Sequence, residues 1–478
     1  MKREYFFMPA GRSLIRRLSA VLLAGATGLA TVTQASTNDN GVYLPAPDGT
    51  TFLLPHRAGH QTLGTVNCAS SNCHGSVLPL DGSNVLQNEY TTWSRFDRHA
   101  RAYQVLLSEQ SRDMVRKLGY TEEAHEAGIC LDCHSHNPPA ALRGERFVQS
   151  EGVGCEGCHG PAAGWIASHA HPDAAHSDNV RQGLYPTSQP VAQARLCLSC
   201  HFGDETRFVT HAIMGAGHPR LSFEMRTFTA LAPAHFRVDD DYLARKGRYD
   251  PIRIWAVGQA VAAQQQLETL VDPHRGRVGA YPELVLFDCH SCHHPMSEQR
   301  WQPRLGIGPG ALRLNDSHLL MLRAIVRATL PAESAAFDAS VRAMHLSVSM
   351  GIAPAGQDYL DLAREVAVLI GRLLPRIEQQ SFFPATQRAI LLALIDEAHE
   401  SSFRDYAGAE QAYMAVNNLL NELLKNGALS SATSLEDGLR AVLATLRDDE
   451  RFDAAAFSAE LVALRGRIVR AEADGGSR

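Results

Sequence analysis

The sequence predicts a mainly α protein in two parts. A loop-rich region covers residues 36–310, and an α-helical, bundle-like region covers residues 311–478. Three observations lead there. All ten cysteines and 20 of the 22 histidines precede residue 320, which confines their chemistry to the first part. Gly and Pro are spread through that part, and long periodic stretches are few. Beyond residue 315, apolar faces of helical period follow one another with plausible caps and no cysteine.

In chain order, residues 1–35 read as a secretory signal peptide. Basic residues (Lys2, Arg3, Arg12, Arg16, Arg17) precede an apolar stretch over 18–32, and Thr33-Gln34-Ala35 presents small residues where a signal peptidase reads. Cleavage is expected near Ala35. The apolar run is short and rich in Gly and Ala for a membrane anchor, and no later segment reaches spanning length. The mature chain is therefore expected to be exported to the periplasm without a transmembrane span. Removing the segment takes the formal net charge from −6 to −10. An acidic surface argues against a nucleic-acid partner and suits docking to a basic redox protein, although net negative charge also serves plain solubility.

The cysteines fall into five pairs, each followed at once by a histidine. Four are Cys-x-x-Cys-His: Cys130/Cys133/His134, Cys155/Cys158/His159, Cys197/Cys200/His201 and Cys289/Cys292/His293. The fifth is the looser Cys68-x4-Cys73-His74, in which two extra residues must bulge out. Random placement of these residues gives roughly 0.01 matches to the four-residue form. Cys-x-x-Cys-His is the attachment site of haem c: two thiols bond to the porphyrin and the histidine ligates iron. Zinc ribbons and redox dithiols share the Cys-x-x-Cys pair, but neither requires a histidine after every second cysteine. Five covalent haem c groups are expected, with stacked porphyrins supplying much of the interior of a region poor in apolar side chains. The short spacing between His134 and Cys155 suggests that the second and third haems are neighbours.

Within the first region, residues 93–103 read as an amphipathic helix and 254–270 as a helix of good formers. In the second, Asn315-Asp316-Ser317 opens a helix that stops at Pro331. Leu362, Val366, Leu369 and Leu373 mark the apolar face of another. Thr386 and Ser434 look like N-caps, and Gly427 ends the helix through Tyr413 and Leu424. About six helices with short connections suggest an antiparallel bundle for docking or oligomer formation. His345 and His399 there read as packing or surface residues.

Function turns on the face of each iron opposite the motif histidine. A second histidine gives a closed haem that only passes electrons, whereas an open face binds small molecules. The candidates are His99, beside Trp93 and Tyr103; His169, after the third motif and Trp165; and His211 and His218, which flank Met214-Gly-Ala-Gly217. His218 lies between Gly217 and Pro219, where a glycine permits close approach of backbone to a flat ring. His60, just before the first motif, is a further candidate, with His235 and His294 behind it. Met214 and Met296 read as packing residues.

Gly152-Val-Gly-Cys155-Glu-Gly-Cys-His159-Gly-Pro161 and Gly217-His218-Pro-Arg-Leu-Ser-Phe-Glu224 resemble the multihaem cytochromes c related to cytochrome c-554. Trp255-Ala-Val-Gly-Gln-Ala260 and Phe287-Asp-Cys289-His-Ser-Cys-His293-His294-Pro are similar to longer secreted members. The resemblance covers residues 60–305. It implies mostly bis-histidine haems in a stacked array that relays electrons. The five motif histidines are then proximal ligands, and His99, His169, His211 and His218 distal ones. The fifth motif and the long helical tail depart from a tetrahaem pattern, so ligand pairing does not transfer whole. The resemblance also implies one five-coordinate haem, which keeps an enzyme reading open.

The first expectation is a periplasmic pentahaem cytochrome that moves electrons between redox partners, whether membrane quinol-linked proteins or other cytochromes. The alternative is an oxidoreductase acting on a small nitrogen or sulfur compound at a five-coordinate haem, with Arg220 and His235 as candidates for its open face. A third reading, a structural subunit of a redox complex, overlaps the first.

Overall fold

The computed structural model describes residues 43–45, 51–83, 85–171, 173–293, 312–350, 358–400, 402–430 and 432–475. The signal segment, His294 and Met296 lie outside the described residues. Among these residues the fold is mainly α. The chain enters through an antiparallel pair, β1 (Tyr43–Pro45) and β2 (Thr51–Leu53), with Leu44 opposite Phe52.

Short helices joined by loops follow. The first, α1 (Glu89–Phe96), ends where Asp97 turns extended, so the continuous helix expected over 93–103 breaks there. The Asp97 carboxylate accepts both the backbone N–H and the Nδ1–H of His99, which competes with the helical ladder. Ser108 caps α2 (Glu109–Lys117) through the N–H of Ser111. Three helices end on motif histidines: α3 (Gly128–His134), α4 (Cys155–His159) and α5 (Pro190–His201). Thr210 caps α6 (His211–Ala216), which starts on His211 and stops at Gly217. Glu224 caps α7 (Met225–Leu231).

The 254–270 expectation corresponds to α8 (Pro251–Val271). Asp250 caps it by accepting from the N–H groups of Ile252 and Arg253, and Pro251 occupies its first position. It is apolar on nearly every side, the pattern of a helix surrounded by protein. A small hairpin, β3 (Arg277–Val278) and β4 (Tyr281–Pro282), precedes the last motif.

The C-terminal region comprises α9 (Ser317–Thr329), α10 (Pro331–Met350), α11 (Tyr359–Glu378), α12 (Pro384–His399), α13 (Tyr406–Lys425), α14 (Ala432–Ala444) and α15 (Ala454–Gly475). Pro331 begins α10 as well as following α9. Gly427, at φ +69°, lies just past α13, where the Ala428 N–H returns to the Leu423 carbonyl. Two expected caps lie inside their helices: Pro384 starts α12 ahead of Thr386, and α14 begins at Ala432 ahead of Ser434. Proline pre-set for the first helical turn outweighs a threonine two residues on.

One hydrophobic core runs from Ala194 to Ala471. Trp255, Ala256, Val257, Ala260 and Ala263 of α8 are completely buried in it, and α8 packs against α5, α7, α9, α11 and α13. The change of composition near residue 315 thus has no matching gap in the packing, and from Val42 onward the chain is one compact unit. Around the second and third motifs side chains form small clusters, such as Leu106, Val115, Ala124, Ala127 and Leu131, whereas the fourth-motif helix reaches the main core through Ala194 and Leu198.

Candidate haem centres

Each motif histidine is held at the end of a short turn. In the first motif the two extra residues curl back on themselves: Cys73 N–H donates to Ser70 O at 2.9 Å and His74 N–H to Cys68 O at 3.1 Å. That is the bulge the spacing demands. Gly75 closes it, because a Cβ there would sit 1.8 Å from the Ala69 carbonyl oxygen. In the last motif Asp288 caps the turn Cys289–Ser291. None of the ten cysteines is in a disulfide.

Four motif histidines each face a second imidazole. The ring centres of His74 and His169 are 6.0 Å apart, those of His99 and His201 6.2 Å, those of His134 and His218 6.3 Å, and those of His211 and His293 6.0 Å. Two metal–nitrogen bonds of about 2 Å, plus the distance from each nitrogen to its ring centre, come to about 6 Å. The spacing would let the two rings of each pair hold one iron between them. A tetrahedral zinc site would converge its ligands instead, and among the described residues no group of three or more His, Cys, Asp or Glu does so.

Hydrogen bonds orient several of these rings. Nδ1 of His74 bonds Glu89 at 2.9 Å and that of His99 bonds Asp97 at 2.9 Å. Nδ1 of His134 bonds the Ala102 carbonyl at 3.1 Å and that of His218 the Pro219 carbonyl at 2.8 Å. Each leaves Nε2 free for a metal, the usual second layer of support for a ligand histidine. The bonds to Glu89 and Asp97 raise the pKa values of His74 and His99. Burial, aided by the charge of His99, pushes His201 down to about 4. Phe223 stacks on His201 with ring centres 4.5 Å apart. Gly217 acts through its φ of +124° rather than through crowding: the atoms nearest a Cβ there would be those of Met114, at 3.7 Å.

His159 is different. Among the described residues no second imidazole ring pairs with it. Burial, then the nearby charges of His235, His74, Lys246 and His169, push its pKa down to about 3, so it is neutral and able to bind a metal. His235 is exposed, and its ring meets Phe236 edge-on at 6.2 Å. His60 is not among the paired rings: it lies over Gly164 and Gly183, where an added Cβ would come within 3.1 and 3.2 Å of it. Arg220 is engaged elsewhere, 2.9 Å from Glu410 and over the Tyr406 ring near Cys289.

The motifs also touch one another. Cys68 lies close to Cys155, and Cys133 close to Cys200. The first site thus adjoins the third, and the second adjoins the fourth. Beside Cys133 and Cys200 sits a buried cluster. Asp204 accepts from His56 at 3.0 Å and lies 3.4 Å from Arg57 and 3.3 Å from Arg207. Burial alone would raise its pKa, but the His56 hydrogen bond and the Arg207 charge hold it well below the usual carboxylate range. Glu156, inside the third motif, accepts three backbone N–H groups, from Leu63, Gly64 and Ala162, at 2.7–2.8 Å.

Sequence reasoning missed Glu89, Asp97, Glu156 and Phe223. Only Asp97 left a signal, two residues before His99 in the Asp-x-His pattern of a local side-chain bond.

Residues 61–160, which hold the first three motifs, His99 and the Asp97 and Glu89 supports, match the family model described as cytochrome c554 and c-prime. Over that stretch the chain is similar to cytochrome c554. No curated protein and no solved structure matches it. That similarity supports a c-type cytochrome with covalently bound haem iron and a role in electron transfer. Among the described residues no helix is long and apolar enough to cross a membrane.

Proposed function

We propose that the chain is a periplasmic pentahaem cytochrome that relays electrons between redox partner proteins. The observation that carries this reading is the set of four imidazole pairs at 6.0–6.3 Å, each with one member from a motif. Cys68/Cys73, Cys130/Cys133, Cys155/Cys158, Cys197/Cys200 and Cys289/Cys292 would hold the five porphyrins, with His74, His134, His159, His201 and His293 as proximal ligands. His169, His218, His99 and His211 would be the distal ligands of the first, second, fourth and fifth haems. Bound haem iron supplies one-electron redox chemistry, and two imidazoles close it to other ligands. The closeness of Cys68 to Cys155 and of Cys133 to Cys200 would join first to third and second to fourth. His211 and His218, at the two ends of α6, link the fifth to the second. Cys73, Cys289 and Cys292 are exposed, which suits the first and fifth sites to exchange electrons with partners. Intact mass of the exported protein should exceed the polypeptide by five haem masses. A gain of four, with Cys68 and Cys73 open to alkylation, would remove the first site from the relay.

A second reading is favoured by His159 alone: an oxidoreductase whose third haem would be held by His159 without a second imidazole, with the charges of His235 and Lys246 nearby. Carbon monoxide titration of the reduced parent decides between them. One bound equivalent supports a small-molecule site there, and no binding removes it.

A further inference from the structure

The helix α13 lies alongside the segment that carries His218 and Phe223, and its side chains meet that segment in register. Glu410, Met414, Asn418 and Glu422 recur every four residues and form one stripe of the helix. Glu410 accepts from Arg220 at 2.9 Å and from the Ser222 hydroxyl at 2.5 Å. The neighbouring Gln411 donates to the Phe223 carbonyl at 3.0 Å and accepts from Gln259 of α8 at 2.9 Å. Asn418 donates to Glu224 at 2.9 Å and to Thr227 at 3.1 Å, and Glu422 lies 3.6 Å from Arg226. The partners run in the same direction along both stretches, apart from Thr227, which meets Asn418 while Arg226 meets Glu422. Gln411 and Asn418 are buried, where an unmade hydrogen bond is costly, so the register is tightly set.

We infer that α13 is a brace for axial ligation, whose polar residues fix the 220–227 segment and thereby hold His218 opposite His134 and Phe223 against His201. Apolar packing alone would let that segment slide, whereas directional bonds to a carbonyl, a hydroxyl and a carboxylate do not. The bonds from Glu410 to Arg220 and Ser222 anchor the chain just beyond Pro219, whose carbonyl orients His218 Nδ1. Gln411 anchors Phe223 by its backbone while the Phe223 ring sets the plane of His201. The C-terminal region thus acts on the haem sites from inside the fold. This rests on reading His218 as an iron ligand.

The test uses the full-length, haem-loaded protein with low-temperature EPR and carbon monoxide titration of the reduced form. Glu410→Ala should turn part of one low-spin signal high-spin and raise carbon monoxide uptake by up to one equivalent per chain. Glu410→Gln keeps an acceptor for Ser222 and should restore the parental spectrum. Gln411→Ala should shift the low-spin signal of the His99–His201 haem. Parental EPR and uptake in both Glu410→Ala and Gln411→Ala, with only a lower melting temperature, would overturn the brace. If Glu410→Ala fails to accumulate, Ser222→Ala removes the same bond from the other side and is judged by the same readouts. His218→Ala separates the two ideas. It should add one full equivalent of uptake, and if it leaves the spectrum parental, the ligand reading fails instead.

Discussion

Replacing Asp97 by Asn removes one negative charge and little else. The Asp97 carboxylate accepts the Nδ1–H and the backbone N–H of His99, both at 2.9 Å, and the amide oxygen of Asn can accept both. His99 faces His201 across 6.2 Å, so on the proposed reading the charge would stand behind an imidazole ligand of the fourth haem. A carboxylate there makes the imidazole more basic and favours the ferric state. A charged hydrogen bond is worth about 1.5–3 kcal/mol and a neutral one about 1, which leaves a difference of about 0.5–2 kcal/mol. The Asp97 side chain is 15% exposed but that of His99 is 48% exposed. Solvent screening trims the difference to about 0.5–1 kcal/mol. With about 59 mV per tenfold change for a one-electron couple, the midpoint of one haem should rise by about 20–40 mV. Spectroelectrochemical titration of parent and variant would show one component moving while the others stay. His99→Ala should instead change the spin state of that haem. A fall in potential, or a shift shared evenly by all haems, would refute the placement of Asp97 behind a single iron.

Acid should weaken the fold in two stages. His56 has its pKa lowered by burial and by Arg207, so the unfolded chain takes up that proton first and stability drops as pH falls below about 6.5. Asp204, whose folded pKa is depressed, contributes stability above its ordinary value of 3.8 that is lost as pH falls further. Asp204→Asn should flatten the lower part of a melting-temperature profile against pH, and an unaltered profile would contradict the assignment. Glu156→Ala leaves three backbone N–H groups without their acceptor, at about 1–3 kcal/mol for each one that stays buried. Denaturant unfolding should show a loss of at least about 3 kcal/mol, and a loss under about 1 kcal/mol would mean that water replaces the carboxylate.

The proposed attachment residues are legible in the sequence because covalent chemistry would impose local spacing. Cys155, Cys158 and His159 must lie on one turn whatever surrounds them. His99, His169, His211 and His218 could be picked out from their neighbours, but their pairing is set by tertiary packing, as with His74 and His169. His60 showed the weakness of proximity to a motif: it lies beside the first motif in sequence and over Gly164 and Gly183 in space. Helix type was readable in α8 and α13 from periodicity, while starts at Pro384 and Ala432 were misplaced because several residues near each end could cap. The α13 stripe was invisible for a physical reason. Glu410, Asn418 and Glu422 on a helix look like a solvated face, and only the fold brings the 220–227 segment onto them.

The shared core makes a further demand on the chain. Residues 311–478 begin where the motif content ends, and a separable domain would tolerate their removal. Yet α8, which lies before that boundary, packs against α9, α11 and α13, which lie after it. Ile252, Trp255, Val261, Leu267 and Leu270 of α8 are each no more than 1% exposed. Uncovering even half of these side chains forfeits about 1.5–3 kcal/mol apiece, some 4–8 kcal/mol in all. That rivals the roughly 5–15 kcal/mol by which a whole domain is stable. Truncation also removes Arg313 and Asp405, and so strands Asp288 of the last motif, which Arg313 ties to Asp405 at the start of α13. A chain ending at residue 310 should therefore fail to accumulate with its haems, or should unfold at far lower denaturant than the full-length protein. Recovery of a cooperative, fully haem-loaded 36–310 fragment would show that the helices merely sit on a self-sufficient cytochrome.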